Sequence, residues 1–225
     1  MYTGAMRLYH VLNRGVDKRT IFMDDADKAR FVHDMWEFND VEDAKNVCYR
    51  SATFKGLRNP YIVKERIVDL HAWCLMGNHY HLLLSERTDG GLTKFIRRLN
   101  VGYANYFNER YERKGTLFQG RSKKVLIASD AHFVHILNYI HANPLDFLTS
   151  SRGWRSGDVY NQNKALEHIA LYRWSSYLDY IGKTNFPSIL TKDLFLDIFK
   201  DYKKKFRSFI GKSTPEEIRE YNLEY

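Results

Sequence analysis

What most constrains this chain is the order in which strand-like and helix-like patterns follow one another. Leu8 to Asn13 reads as a strand that breaks at Arg14-Gly15. Asp24 and Asp25 can cap a helix carrying Phe31, Met35, Trp36 and Phe38 on its apolar side. A polar excursion from Asn39 to Asn59 follows. Then come a strand from about Arg66 to Leu75, a tight Gly77-Asn78 turn and a second strand from His79 to Leu84, which together read as a hairpin. Gly90-Gly91 opens a long helix whose apolar residues Leu92, Phe95, Ile96, Leu99, Tyr103, Tyr106 and Phe107 recur every three or four positions, with Gly115 expected to stop it. Thr116 to Ile127 suits a fourth strand or extended arm. The order β-α-β-β-α-β predicts an α+β fold: a ferredoxin-like split βαβ antiparallel sheet with helices on its face.

A further helix is expected from Ser129-Asp130, buried along Phe133, Ile136, Leu137 and Ile140 and ended by Pro144. The chain then turns polar and Gly-containing from Thr149 to Asn163. The expected organisation is therefore one domain over residues 1–148 and a helical C-terminal extension over 149–225. Within the extension, helices are expected at Lys164 to Tyr172, Trp174 to Ile181 and Thr191 to Ile210, with a last one capped by Thr214. Apolar residues make up 44% of the sequence, enough for a packed core. No apolar run approaches the ~20 residues a membrane span needs, so no membrane partner is expected. The two cysteines, Cys48 and Cys74, are too few for a disulfide framework and read as buried thiols of a cytoplasmic protein.

The formal charge of +8 is concentrated. Between Lys94 and Lys124 stand Lys94, Arg97, Arg98, Arg110, Arg113, Lys114, Arg121, Lys123 and Lys124, against only Glu109 and Glu112. Aromatic residues are interleaved with these cations. Cations contact phosphates and aromatic rings stack on unpaired bases, so the mixture suits single-stranded nucleic acid, although a solvated basic face above buried aromatics would look the same. The run from Lys203 to Arg207 reads as an ordinary exposed helix face.

His79-Tyr80-His81 is the sharpest local feature. Side chains alternate along a strand, so the two imidazoles share one face and can share one cation, or they are simply a pair of partly exposed strand histidines. Tyr139 and Asn143, four apart on the later helix, project from one side of it. The apolar stripe of that helix would press Tyr139 against the sheet, and His132 and His135 fall near the same line. A phenol with an ordinary pKa near ~10 is a weak nucleophile unless nearby charge stabilises the phenolate. A divalent cation on His79 and His81 could help by polarising a phosphate, with the side-chain oxygen of Asn143 completing the ligand set. The bland alternative makes Tyr139 a half-buried helical tyrosine and Asn143 a helix cap before proline.

In these residues the chain resembles the HUH single-tyrosine transposases, especially the REP-associated, IS200-like kind. The matching pieces run in order from Tyr9 to Tyr180: Tyr9-His10-Val11-Leu12-Asn13-Arg14-Gly15, Cys74 to Leu84 around the two histidines, Gly115 to Arg121, Tyr139-Ile140-His141-Ala142-Asn143-Pro144, and Trp174-Ser175-Ser176-Tyr177. The resemblance implies a transposase that cuts single-stranded or hairpin DNA in transposition or recombination. Its nucleophile would be Tyr139, its metal ligands His79, His81 and Asn143, its cofactor Mg²⁺ or Mn²⁺, and its product a 5′-phosphotyrosine with a free 3′-hydroxyl. Arg14, Lys94, Arg97, Arg98, Arg121, Lys123 and Lys124 are the candidate DNA contacts, and a homodimer is one option for the assembly. Two rivals stay open: a domesticated derivative that binds hairpin DNA without cutting, and a metal-dependent hydrolase using water. The sequence departs from the family at Gly77, where proline is usual, and at Leu145-Asp146-Phe147, where Val-Arg-Ala is common. The second departure removes a basic residue near the tyrosine.

Overall fold

The computed structural model describes residues 7–43, 64–151, 153–196 and 200–212. Four strands form one sheet: β1 (Leu8–Arg14), β2 (Val68–Leu75), β3 (His79–Glu86) and β4 (Lys123–Leu126), in the spatial order β2-β3-β1-β4. Every neighbouring pair is antiparallel, which is the ferredoxin-like arrangement expected. The register sets Leu12 opposite His81 on β3 and opposite Lys123 on β4. A bulge lies between Leu70 and Ala72 where β2 meets β3. β1 and β3 are almost wholly buried along their length, as central strands covered on both faces must be.

Two helices cover one face of the sheet. Helix α1 (Asp25–Glu37) starts where the Asp24 side chain accepts a hydrogen bond from Asp27 N. Helix α2 (Gly91–Arg110) lies beside it. Tyr80, on the strand face opposite to His79 and His81, meets Phe31 of α1 at a ring distance of 5.0 Å and donates to Asn100 of α2 at 2.7 Å. Gly90 holds the turn before α2 with φ of +69°, and a Cβ on Gly91 would stand 2.3 Å from the Ile67 carbonyl oxygen, so this Gly-Gly pair is what lets the hairpin pass into the helix.

The other face carries α3 (Asp130–Ala142), whose Ser129 cap accepts from His132 N and whose Phe133, Ile136, Leu137 and Ile140 are all buried. Pro144 follows in a 3-10 turn from Asn143 to Phe147. Beyond the junction lie α4 (Gln162–Leu171), α5 (Tyr177–Tyr180), α6 (Asp193–Leu196) and α7 (Tyr202–Ile210). Their Tyr177, Phe195, Phe206 and Ile210 belong to the same buried core as the sheet. Residues 174–176 hydrogen-bond to the end of β2, from Leu75 N to Trp174 O and from Ser176 N to Trp73 O, both at 3.0 Å.

Three expectations shift. Helix α2 ends at Arg110 rather than at Gly115, because the Arg110 guanidinium is drawn to Asp24 and Asp27 of the α1 turn and the Asn108 side chain turns back to Gly115 O. The fourth strand is confined to Lys123–Leu126; before it, Phe118 makes a single bridge to Gly15, and Gly120 bends the chain with φ of +71°. The long helix expected from Thr191 is two elements, and Asp201 stands before the second with φ of +60°. The Thr214 cap, Cys48 and most of the Asn39 to Asn59 excursion lie outside the described residues.

His141 ties later residues to α3: its Nδ1 shares a hydrogen bond with Tyr202 Oη and its Nε2 one with Ser176 Oγ, each 2.7 Å. Burial pushes its pKa down to about 3. In an unfolded chain a histidine protonates near ~6.5, so between these values the unfolded state holds the extra proton. Stability is therefore full above pH ~6.5 and falls as pH is lowered toward 3, by roughly 1 kcal/mol per pH unit for each such histidine. Urea midpoints measured from pH 7.5 to 4.5 should decline, and less steeply in His141→Gln. An identical slope in that variant would mean the imidazole is protonated in the folded protein.

Candidate active site

The ends of β1 and β3, the turn after β1 and the last turns of α3 enclose a cleft of about 360 Å³. Leu12, Arg14, Lys18, Asn78, His79, His81, Tyr139, Asp146 and Arg155 line it. Strand alternation puts His79 and His81 on the face that α3 covers, and the stripe of α3 sets Tyr139 above them. The rings of His79 and His81 are 4.9 Å apart, and the Tyr139 ring meets that of His81 edge-on at 5.7 Å.

The two histidines are held differently. His79 is half-buried and its Nδ1 donates to Asn78 Oδ1 at 2.7 Å, so Nε2 is the ring nitrogen that would serve a metal. His81 is buried, and its Nδ1 shares a 2.9 Å hydrogen bond with Nε2 of His10 on β1. His81 Nε2 is buried with no hydrogen-bond partner among the described residues. Its pKa is pushed well below the ordinary value, first by burial and then by His79, His10 and Arg155. The ring is therefore neutral, the form that binds metal. A buried, unsatisfied nitrogen whose opposite nitrogen is tied down fits a metal ligand, since such histidines bond an outer partner through the second ring nitrogen. Among the described residues no group of three or more His, Cys, Asp or Glu side chains is arranged to hold a metal, so an ion here would take its remaining ligands from water and substrate oxygens.

Asn143 is placed differently from the expectation. It is fully buried and does not line the cleft. Its Nδ2 donates to the Tyr139 carbonyl at 2.8 Å, as a helix-ending residue does, and its Oδ1 accepts from Arg155 Nη2 at 3.2 Å. His132 is buried near His10, while His135 turns to Phe209 of α7.

The basic stretch divides between the two sides of the sheet. Arg14 reaches the cleft and donates to Gln119 Oε1. Lys123, level with Leu12, shares the cleft's face of the sheet, and its charge contributes, after burial and His132, to holding His10 down to about 3. Lys94, Arg97 and Arg98 belong to α2 on the opposite face. There Lys94 donates to Val41 O, and Arg98 donates to Asp40 O and pairs with Asp43, so two of the three fasten the loop after α1. Arg97 and Arg121 are exposed, and Lys124 donates to Thr93 Oγ1 of α2. Lys18, Asp146 and Arg155 line the cleft without having been selected from the sequence, and nor was His10, which is bonded to His81. His10 sits two before Leu12 on one strand face, a signal that strand alternation offers. Lys18 follows a turn in which Asp17 and Lys18 both have positive φ, and neither Asp146 nor Arg155 carries a local signal.

Residues 58–143 match the family model described as "Transposase IS200 like". His79, His81, Tyr139 and Asn143 lie inside the match, whereas Arg14, Lys18, Asp146 and Arg155 lie outside it. Among solved structures, a REP-associated tyrosine transposase bound to a REP hairpin is similar at 12% identity with a TM-score of 0.46, over 86% of this chain and 90% of that one. Comparison with curated proteins finds no significant match. Among the described residues, no helix is long and apolar enough to cross a membrane.

Proposed function

We propose that this chain is an IS200-like transposase that cuts single-stranded, hairpin-bearing DNA by direct attack of Tyr139 on a phosphodiester. The observation that carries the reading is the seating of Tyr139 in one cleft with His79 and His81, one of which keeps a buried, unsatisfied ring nitrogen. Tyr139 Oη forms a bond to phosphorus and the bond from phosphorus to O3′ breaks. The phenolic proton passes through solvent to the leaving oxygen, which departs as a 3′-hydroxyl, and the 5′ side stays on Tyr139 as a phosphotyrosine. One phosphodiester replaces another, so the step runs in either direction and can rejoin ends.

His79 and His81 would hold Mg²⁺ or Mn²⁺, whose charge, when bound, draws the phosphate oxygens and eases cleavage of the bond to O3′. His10 would orient His81: in the tautomer in which His10 Nε2 accepts the His81 Nδ1–H, the His81 Nε2 lone pair serves the ion. A role for Asn143 in the same ligand set would need its Oδ1 to leave Arg155. Burial of Tyr139, only 1% exposed, fixes the ring against His81 and keeps bulk water from its face. The reading is tested by incubating the protein with single-stranded hairpin DNA and Mn²⁺. A covalent adduct mapped by mass spectrometry to Tyr139 supports it, and cleavage without any adduct removes it.

DNA should be drawn to the cleft side of the sheet. Each phosphate neutralised on a single strand changes the slope of log K against log salt by about 0.7. Arg14→Ala with Lys18→Ala should flatten the slope by about 1.4, whereas Arg97→Ala with Arg98→Ala should change it less. Fluorescence anisotropy titrations from 50 to 300 mM salt (about a sixfold range) decide the point, and the reverse order of effects would place the DNA on α2.

A further inference from the structure

Arg155 comes from the turn Trp154–Ser156, past the segment that matches the family model, yet it lines the same cleft as His79, His81 and Tyr139. Its side chain is held on several sides. The guanidinium makes a two-pronged pair with Asp146, from Nη1 to Oδ1 and from Nη2 to Oδ2, and Nη2 also donates to Asn143 Oδ1 at 3.2 Å. Its Cζ lies 4.3 Å from the centre of the Trp154 ring and 5.9 Å from that of Tyr139. Trp154 is fully buried and donates through Nε1 to Asp146 Oδ1 at 2.9 Å, so the carboxylate that holds Arg155 is itself held.

An exposed arginine with one carboxylate would be an ordinary surface pair. This one is 22% exposed and braced by a ring, an amide and an anchored carboxylate, and it faces a nucleophile in a cleft that also carries Arg14 and Lys18. A cation fixed in advance beside a reacting phosphate stabilises the transition state without reorganising during the reaction. A planar guanidinium also suits phosphate oxygens better than an ammonium does.

Resting on the reading of Tyr139 as nucleophile, we propose that Arg155, braced by Asp146 and Trp154, binds the non-bridging oxygens of the phosphate that Tyr139 attacks. The phosphorus–oxygen bonds made and broken are those already given. Arg155 contributes no proton and loses none; its N–H groups take up the negative charge that gathers on the two non-bridging oxygens. The cleft is then completed by a residue from beyond the family segment, and Asp146 is a positioning residue that acts through Arg155.

The test uses the full chain as parent, Arg155→Gln, Arg155→Lys and Asp146→Asn, with Tyr139→Phe as the adduct-free control. Three quantities are read: the single-turnover rate of adduct formation on hairpin DNA with Mn²⁺, the DNA Kd without metal, and the Mn²⁺ Kd by electron paramagnetic resonance. Arg155→Gln should slow adduct formation by about 10²-fold or more. Its DNA Kd should rise only a few-fold, and Mn²⁺ should bind as tightly as in the parent or tighter, because a like charge has left the site. A purely structural Arg155 would instead weaken Mn²⁺ binding along with the rate. Arg155→Lys should recover only part of the rate, and Asp146→Asn should fall between it and the parent. An adduct rate in Arg155→Gln within threefold of the parent overturns the proposal. If that variant unfolds, a parent-like rate in Arg155→Lys overturns the two-pronged contact. A parent that makes no adduct overturns the Tyr139 reading itself, and this proposal with it, a result distinct from a normal parent with an unaffected arginine variant.

Discussion

Tyr139→Phe should bind hairpin DNA as tightly as the parent and form no covalent adduct. The substitution removes one oxygen and keeps the ring, so the edge-on contact with His81 and the packing against Trp154 at 5.5 Å survive. The carbonyl of residue 139 still accepts from Asn143, and α3 still ends where it does. The melting temperature should therefore stay within a few degrees of the parent's. Cleavage should fall by at least about 10³-fold, because no other group in the cleft can supply the attacking oxygen in the same position. The variants of catalysis separate on this one measurement. An enzyme that activates water keeps substantial cleavage in Tyr139→Phe, since its attacking oxygen never belonged to the tyrosine. A protein that only holds hairpins cuts in neither form. An adduct that persists and maps to Tyr103, Tyr106 or Tyr111 would sink the assignment, although those three side chains face α1 and not the cleft.

Much of this arrangement was legible because it depends on local periodicity. Alternation along β3 places His79 and His81 together, and the buried stripe of α3 dictates which way Tyr139 points. The six-element order implied the sheet. What stayed hidden depends on contacts between distant residues. His10, Leu12 and Arg14 share a strand face by alternation, but only the order β2-β3-β1-β4 brings that face beside His81. The basic residues of α2 are plainly on its polar side, yet nothing local says that α2 packs on the sheet face away from the cleft. Arg155 stands in a polar, Gly-containing stretch that reads as a junction. The fold returns it to Asp146, so the position where the sequence lacks a basic residue gains a guanidinium from nine residues further on. The early end of α2 is of the same kind: Arg110 answers to Asp24 and Asp27, 86 and 83 positions away.

Removing the two histidines should abolish cleavage, but their costs to the fold should differ. His79 is half-buried and bonded to its neighbour Asn78, so His79→Ala should leave stability nearly unchanged. His81 is buried, and His81→Ala leaves His10 Nε2 facing a void without its partner, a loss of about 1–3 kcal/mol. Urea midpoints should report that contrast. If the pair holds a divalent ion, each single variant should weaken Mn²⁺ binding at least about tenfold, since two protein ligands are few and neither is spare. The double variant should bind no Mn²⁺ at this cleft and form adduct at least about 10²-fold more slowly, while its DNA Kd without metal stays close to the parent's, because Arg14, Lys18 and Arg155 are untouched. His10→Phe should act on the metal but not on the DNA: with no acceptor for its Nδ1–H, His81 can carry its proton on Nε2 instead, and Mn²⁺ should bind about 10 to 100 times more weakly. A double variant that cuts as fast as the parent in Mn²⁺ would take the ion away from His79 and His81. Tyr139 would then have to rely on the arginine side of the cleft alone.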